Sequence, residues 1–239
     1  MIFNFNSNKY SFKPKIFPLF AFVCALSILI SLSTWQFKRL NWKKDLISQR
    51  IESYELESTS FNNIDLPEQN EFRKILIYGE LINEYEMYMP ALSKRGNNGF
   101  HILVPLKTKD GKNIIYDTGW IPLKMKDSKL RTKNIVKGLN EFEAVIRTSG
   151  RKGYFQPDND IISNTWFFVE PKAMSNFTKM KLENNYYLEA FNNGPNGFPL
   201  GNQTRIYLRN NHLQYALTWL MIALGLIGVF FFANIKKIK

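Results

Sequence analysis

LQYALTWLMIALGLIGVFFFA, residues 213–233, holds no Asp, Glu, Lys or Arg, and its reading decides the fold. A helix rises about 1.5 Å per residue and the hydrocarbon core of a bilayer is about 30 Å thick, so an uncharged run of this length predicts a membrane span. A second such block, IFPLFAFVCALSILISLST, covers residues 16–34. A buried core helix is the alternative for the later block; its length and the following Lys236, Lys237 and Lys239 argue against that. A cleaved signal peptide is the alternative for the earlier one, with Lys9, Lys13 and Lys15 as its basic region and Ser31-Leu32-Ser33 as its cleavage site. The apolar run exceeds the usual signal core of about 7 to 15 residues. Trp35 also follows it, where tryptophan commonly anchors a span at the interface.

Charge sets the expected topology. The formal charge is +12, and all 20 acidic residues lie between the two blocks, which leaves both ends Lys-rich and free of acid. Lys-rich tails at both ends put both termini in the cytoplasm and the intervening chain outside. The bases Lys38, Arg39, Lys43 and Lys44 compete with this from just beyond the first span. Long domains, however, translocate largely regardless of charge. A basic pI of 9.6 also suits nucleic acid, but two spans fit poorly with that class, and the expected contact is with anionic lipid head groups. The run Lys124, Lys126, Lys129, Arg131, Lys133 and Lys137 is the densest candidate for it, with a solvated loop as the plainer reading.

Between the spans the texture changes twice. Phe37, Leu40, Ile47, Ile51 and Tyr54 recur at mostly helical spacing, so an amphipathic helix over 36–57 continues the first span (16–35) outward. Residues 58–70 read as a linker. Short β-branched and aromatic runs follow at 73–81, 85–91, 99–106, 113–120 and 142–148, with further strands expected at 165–169, 186–190 and 204–208. Asp110-Gly111 marks a tight hairpin, because its turn needs residues that tolerate positive φ. A helix over 171–182, opened by Pro171 and carrying Ala173, Phe177 and Met180 on one face, is expected to cap the sheet. Residues 192–203 (NNGPNGFPLGNQ) form a loop. The fold class expected is a membrane α+β chain. Its N- and C-terminal transmembrane helices flank one extracytoplasmic β-rich domain (58–211), an antiparallel barrel or sandwich with a capping helix. The second span is 212–233, and 1–15 and 234–239 are cytoplasmic tails.

Chemistry-bearing residues are few. The lone cysteine, Cys24, lies in the first span, which excludes an intrachain disulfide, a CxxC redox pair and a paired-thiolate metal site. No nucleophile elbow, phosphate-binding loop or zinc-protease motif is present, and two histidines are too few for a His-rich site. His101 sits in a strand on the face opposite Phe100, Ile102 and Val104, and alternation predicts a structural or solvent-facing side chain. His212 opens the second span and shares a helical face with Tyr215, Ala216 and Trp219, at offsets of three, four and seven. That face has two readings: an interfacial aromatic belt, or an imidazole between aromatic walls that suits a flat iron macrocycle.

The strings Thr204-Arg205-Ile206-Tyr207-Leu208 and Asn210-Asn211-His212-Leu213-Gln214-Tyr215-Ala216-Leu217-Thr218-Trp219 closely resemble the C-terminal signature of the Surfeit locus protein 1 family. Trp35-Gln36-Phe37-Lys38-Arg39-Leu40 resembles the start of the family. Gly119-Trp120-Ile121-Pro122 and Phe155-Gln156-Pro157-Asp158-Asn159-Asp160 follow the family's order between them. The resemblance implies a non-catalytic assembly factor of cytochrome c oxidase, a chaperone for haem a on its way to the core subunit, with haem a synthase as a further candidate partner. It implies a bacterial inner membrane with the domain in the periplasm, or a mitochondrial inner membrane. It carries the axial iron ligand to His212; Tyr215 and Trp219 are expected beside the cofactor from the helical face they share with it. The alternative within the family is a scaffold that never holds haem; an extracytoplasmic sensor and an enzyme are the other classes. In place of the usual Asn-Arg-Gly-Trp this chain has Asp117-Thr118-Gly119-Trp120, so a basic residue is missing that Arg147, Arg151 or Lys152 would have to replace.

Overall fold

The computed structural model describes residues 2–5 and 8–238. The chain divides into two compact units: Met1–Ser48 with Tyr207–Lys239, and Gln49–Ile206.

In the first unit, α1 (Ile16–Glu55) is one unbroken helix that runs on past the unit's edge, and α3 (His212–Ala233) is the other. Both are long and apolar enough to cross a membrane. They pack antiparallel: Phe22 stacks on Phe230 at 4.0 Å, and Ser33 donates its hydroxyl to the Ala216 carbonyl at 3.0 Å. Small and polar side chains at this seam let the two backbones approach, which is how helices associate where burial from water supplies no drive. Most other apolar residues of these helices stay exposed, Phe17, Phe20, Met221 and Phe232 among them. Parts of the two tails pair with each other. Strands β1 (Ile2–Phe5), β2 (Asn8–Phe12) and β10 (Ile235–Ile238) form a small antiparallel sheet with β2 in the middle.

The second unit is a small barrel. Its strands are β3 (Thr59–Ser60), β4 (Lys74–Leu81), β5 (Met87–Leu92), β6 (Asn98–Thr108), β7 (Asn113–Pro122), β8 (Leu139–Thr148) and β9 (Tyr186–Ala190). They lie in the order β3-β4-β8-β9-β7-β6-β5, and a further pairing of β4 with β6 closes the ring. Closure leaves β4, β6, β7, β8 and β9 each paired on both sides, while β3 and β5 each pair with one strand. The interior holds Ile75, Ile77, Ile102, Val104, Leu106, Ile114, Ile146 and Leu188. Outside β5–β7 lies a second core of Met87, Leu103, Ile115, Trp166, Val169 and Met174. Buried on both faces, β6 and β7 read as near-continuous apolar runs.

Three expectations are corrected here. The barrel is not wholly antiparallel, because the chain makes a long excursion after β8 and returns as β9 parallel to β7, with Asp117 opposite Glu189. No strand forms over 165–169 or 204–208; Thr165 makes only isolated bridges to Tyr88 and Asp160. The capping helix α2 (Pro171–Thr178) is shorter than 171–182, because Lys179 turns left-handed at φ 57° and ends it. It packs Met174 into the outer core, with Ala173 and Phe177 beside it. Within 58–70 the chain is tethered by Phe61, which is buried in the barrel.

Candidate functional site

The two histidines receive different partners. In the first unit, His212 lies in the first turn of α3, and its Nδ1 is 2.6 Å from the Gln36 side-chain oxygen. Gln36 sits on the α1 stripe with Ser33 and Leu40, all three buried in the seam. The same stripe meets Asn210, whose amide nitrogen approaches the Leu40 carbonyl at 3.5 Å while its side-chain oxygen is buried without a partner among the described residues. Lys43 donates to the Arg209 carbonyl. Of the face expected around His212, Ala216 is buried in the helix seam, Tyr215 is half exposed and Trp219 is partly buried. The ring nitrogen Nε2 of His212 has no partner among the described residues.

A lone imidazole suits an iron that arrives with a macrocycle's own nitrogens, and among the described residues no cluster of three His, Cys, Asp or Glu is placed to hold a bare ion. On donor chemistry the residues present would suit a haem: His212 would offer an imidazole nitrogen and Tyr215 an aromatic wall that α1 leaves uncovered.

In the second unit, His101 is not solvent-facing. On β6 it shares the face of Leu103, which lies in the outer core, and its Nδ1 meets the Asp117 carboxylate at 2.6 Å, with Asp117 buried and the His101 side chain 13% exposed. Burial pulls the imidazole down, but Asp117 and then Glu189 push it up by more, so His101 stands above its usual value. A bulge places the carboxylate: the register between β6 and β7 shifts after His101, and Asp117 also accepts from the Gly119 amide at 2.9 Å. Glu189 in turn accepts from Arg147 at 3.0 Å, from the Tyr187 hydroxyl at 2.9 Å and from Thr204. Single-strand alternation shows which face His101 occupies and says nothing of what covers that face.

The three bases suggested as substitutes for the missing arginine are all committed to carboxylates. Arg147 binds Glu189 and Glu71, Arg151 binds Glu71, and Lys152 binds Asp158. Thr118, at the position of that arginine, donates to the Ile102 carbonyl and lines a cavity of about 320 Å³. Tyr116 lines the same cavity, and its hydroxyl has no partner among the described residues; burial pushes its pKa up. Arg131, read in the sequence as part of a solvated basic run, is instead buried in a two-pronged ion pair with Glu86. Its only sequence signal is an acid far upstream, which no spacing rule connects to it.

The SURF1 family's sequence profile matches residues 23–224. The chain belongs to the SURF1 family. Surfeit locus protein 1 of Takifugu rubripes is 30% identical to it, across 87% of this chain and 93% of that protein. The SURF1-like protein of Rickettsia felis is 28% identical across 85% and 91%, and the human Surfeit locus protein 1 is 27% identical across 79% and 68%. The match to this family takes in Gln36, His101, Asp117 and His212 alike.

Proposed function

We propose that this SURF1-family chain is an assembly factor for cytochrome c oxidase that holds haem a at the membrane interface and passes it to the core subunit. The observation that carries the proposal is the His212 geometry: an imidazole at the mouth of an apolar helix, oriented through Nδ1 and open at Nε2. His212 would hold a bound haem through Nε2, with Tyr215 and Trp219 as flanking aromatics. The chain's own contribution is to hold the ring in place and to keep an apolar, reactive macrocycle out of water. Two Lys-rich tails support a domain outside the cytoplasm, in the periplasm of a bacterium. Relatives in Rickettsia and in vertebrates are consistent with a bacterial or a mitochondrial inner membrane.

The test is an absorption spectrum of the detergent-purified chain and of His212→Ala, both made in cells that synthesise haem a. A haem a spectrum in the parent that is lost in the variant is expected. No haem in either sinks the ligand reading. A scaffold for an oxidase assembly intermediate is the second reading, and Tyr154, Phe155 and Ile162, nearly fully exposed on the barrel domain, favour a protein-binding surface. On that reading His212→Ala leaves oxidase assembly intact in cells.

A further inference from the structure

We propose that Gln36 is the positioning residue for His212: its side-chain oxygen accepts the Nδ1–H, fixes the imidazole as that tautomer and leaves the Nε2 lone pair free for a metal. An amide oxygen can only accept, so a ring nitrogen 2.6 Å from it must carry the proton. A neutral imidazole has one such proton, and the other nitrogen is then a bare donor atom. The two residues are 176 positions apart, so the pairing belongs to the tertiary fold.

The seam makes Gln36 a rigid anchor. Ser33, one turn before it, is tied to the Ala216 carbonyl, and Leu40, one turn after it, packs beside Asn210. Gln36 itself is only 9% exposed, and both its neighbours on the stripe are buried with it. The choice of an amide also separates the two histidines of the chain. His101 faces the Asp117 carboxylate and is favoured as the cation, a form that has no lone pair to give. His212 faces the uncharged Gln36 amide, which orients the ring. Histidines that ligate metals commonly give their second N–H to such an acceptor, and loss of it costs about 10- to 100-fold in affinity.

The consequence for haem rests on the ligand reading of His212; the tautomer does not, and the experiment keeps the two apart. The full chain, labelled with 15N-histidine and purified in detergent without haem, is examined by long-range proton–nitrogen correlation, with His212→Ala to assign the signal. A single Nδ1–H tautomer is expected for His212 in the parent, and a mixture of tautomers in Gln36→Leu. An Nε2–H ring in the parent, or a Gln36→Leu spectrum unchanged from it, overturns the proposal. Hemin titration of the same samples then reads the haem arm. A loss of about 10- to 100-fold in affinity is expected for Gln36→Leu. An Nδ1–H ring in a chain that binds no hemin supports the positioning of His212 and overturns the haem reading alone.

Discussion

At the scale of the residue, the clearest contrast is between the partners of the two histidines. His101 has its pKa raised in the folded chain, so it binds a proton more tightly folded than unfolded. Its contribution to stability is therefore complete below the unfolded value of about 6.5 and is lost as pH rises through the higher folded value. The denaturant midpoint of the purified chain is expected to fall as pH increases across this window. Asp117→Asn removes the charge that raises His101 and should flatten that part of the pH profile; an unchanged profile in the variant would assign the slope elsewhere. Arg131 carries a related lesson. Its position in a basic run suggested a solvated side chain, and its burial against Glu86 reflects the general rule that a charge leaves water only in the company of a partner.

At the scale of the element, the bulge in β7 is the feature on which the barrel domain's polar cluster depends. Gly119 adopts φ +114°, and a Cβ there would lie 2.2 Å from the Leu200 carbonyl oxygen. Gly119→Ala therefore meets both backbone strain of about 1 to 3 kcal/mol and a clash with main chain that cannot rotate away. A loss of more than about 3 kcal/mol is expected by chemical denaturation. Gly111, in the hairpin between β6 and β7, has φ +77° and open space around it. Gly111→Ala meets the left-handed strain alone and is expected to cost about 1 to 2 kcal/mol. Equal losses at the two sites would show that Leu200 yields to the added methyl. Asp110-Gly111 was legible as a hairpin because a turn is a local event. The bulge at Gly119 was not, since it depends on which strand lies opposite.

At the scale of the whole molecule, two apolar helices with basic tails make topology the quantity to measure. With Cys24→Ser as background, a cysteine at Ile162, which is fully exposed on the barrel domain, is expected to react with a membrane-impermeant maleimide on intact spheroplasts. Protection there, with reaction only after lysis, would place the domain in the cytoplasm and remove the periplasmic proposal. The elements behind this expectation were readable in the sequence because their signals are local and strong. Residues 16–34 and 213–233 are uncharged over a membrane's thickness, and the alternation in β4 has the two-residue period of a strand. His212 was legible as a candidate from its place at the head of α3. What only the tertiary structure decided are the relations between distant segments. They include the β4–β6 closure of the barrel, the parallel insertion of β9, the cover over His101, the Glu86–Arg131 pair and the Gln36 oxygen against His212. Each brings together groups whose separation in sequence carries no period. Packing and the need to satisfy buried polar atoms select such pairs, and both act only once the chain has folded.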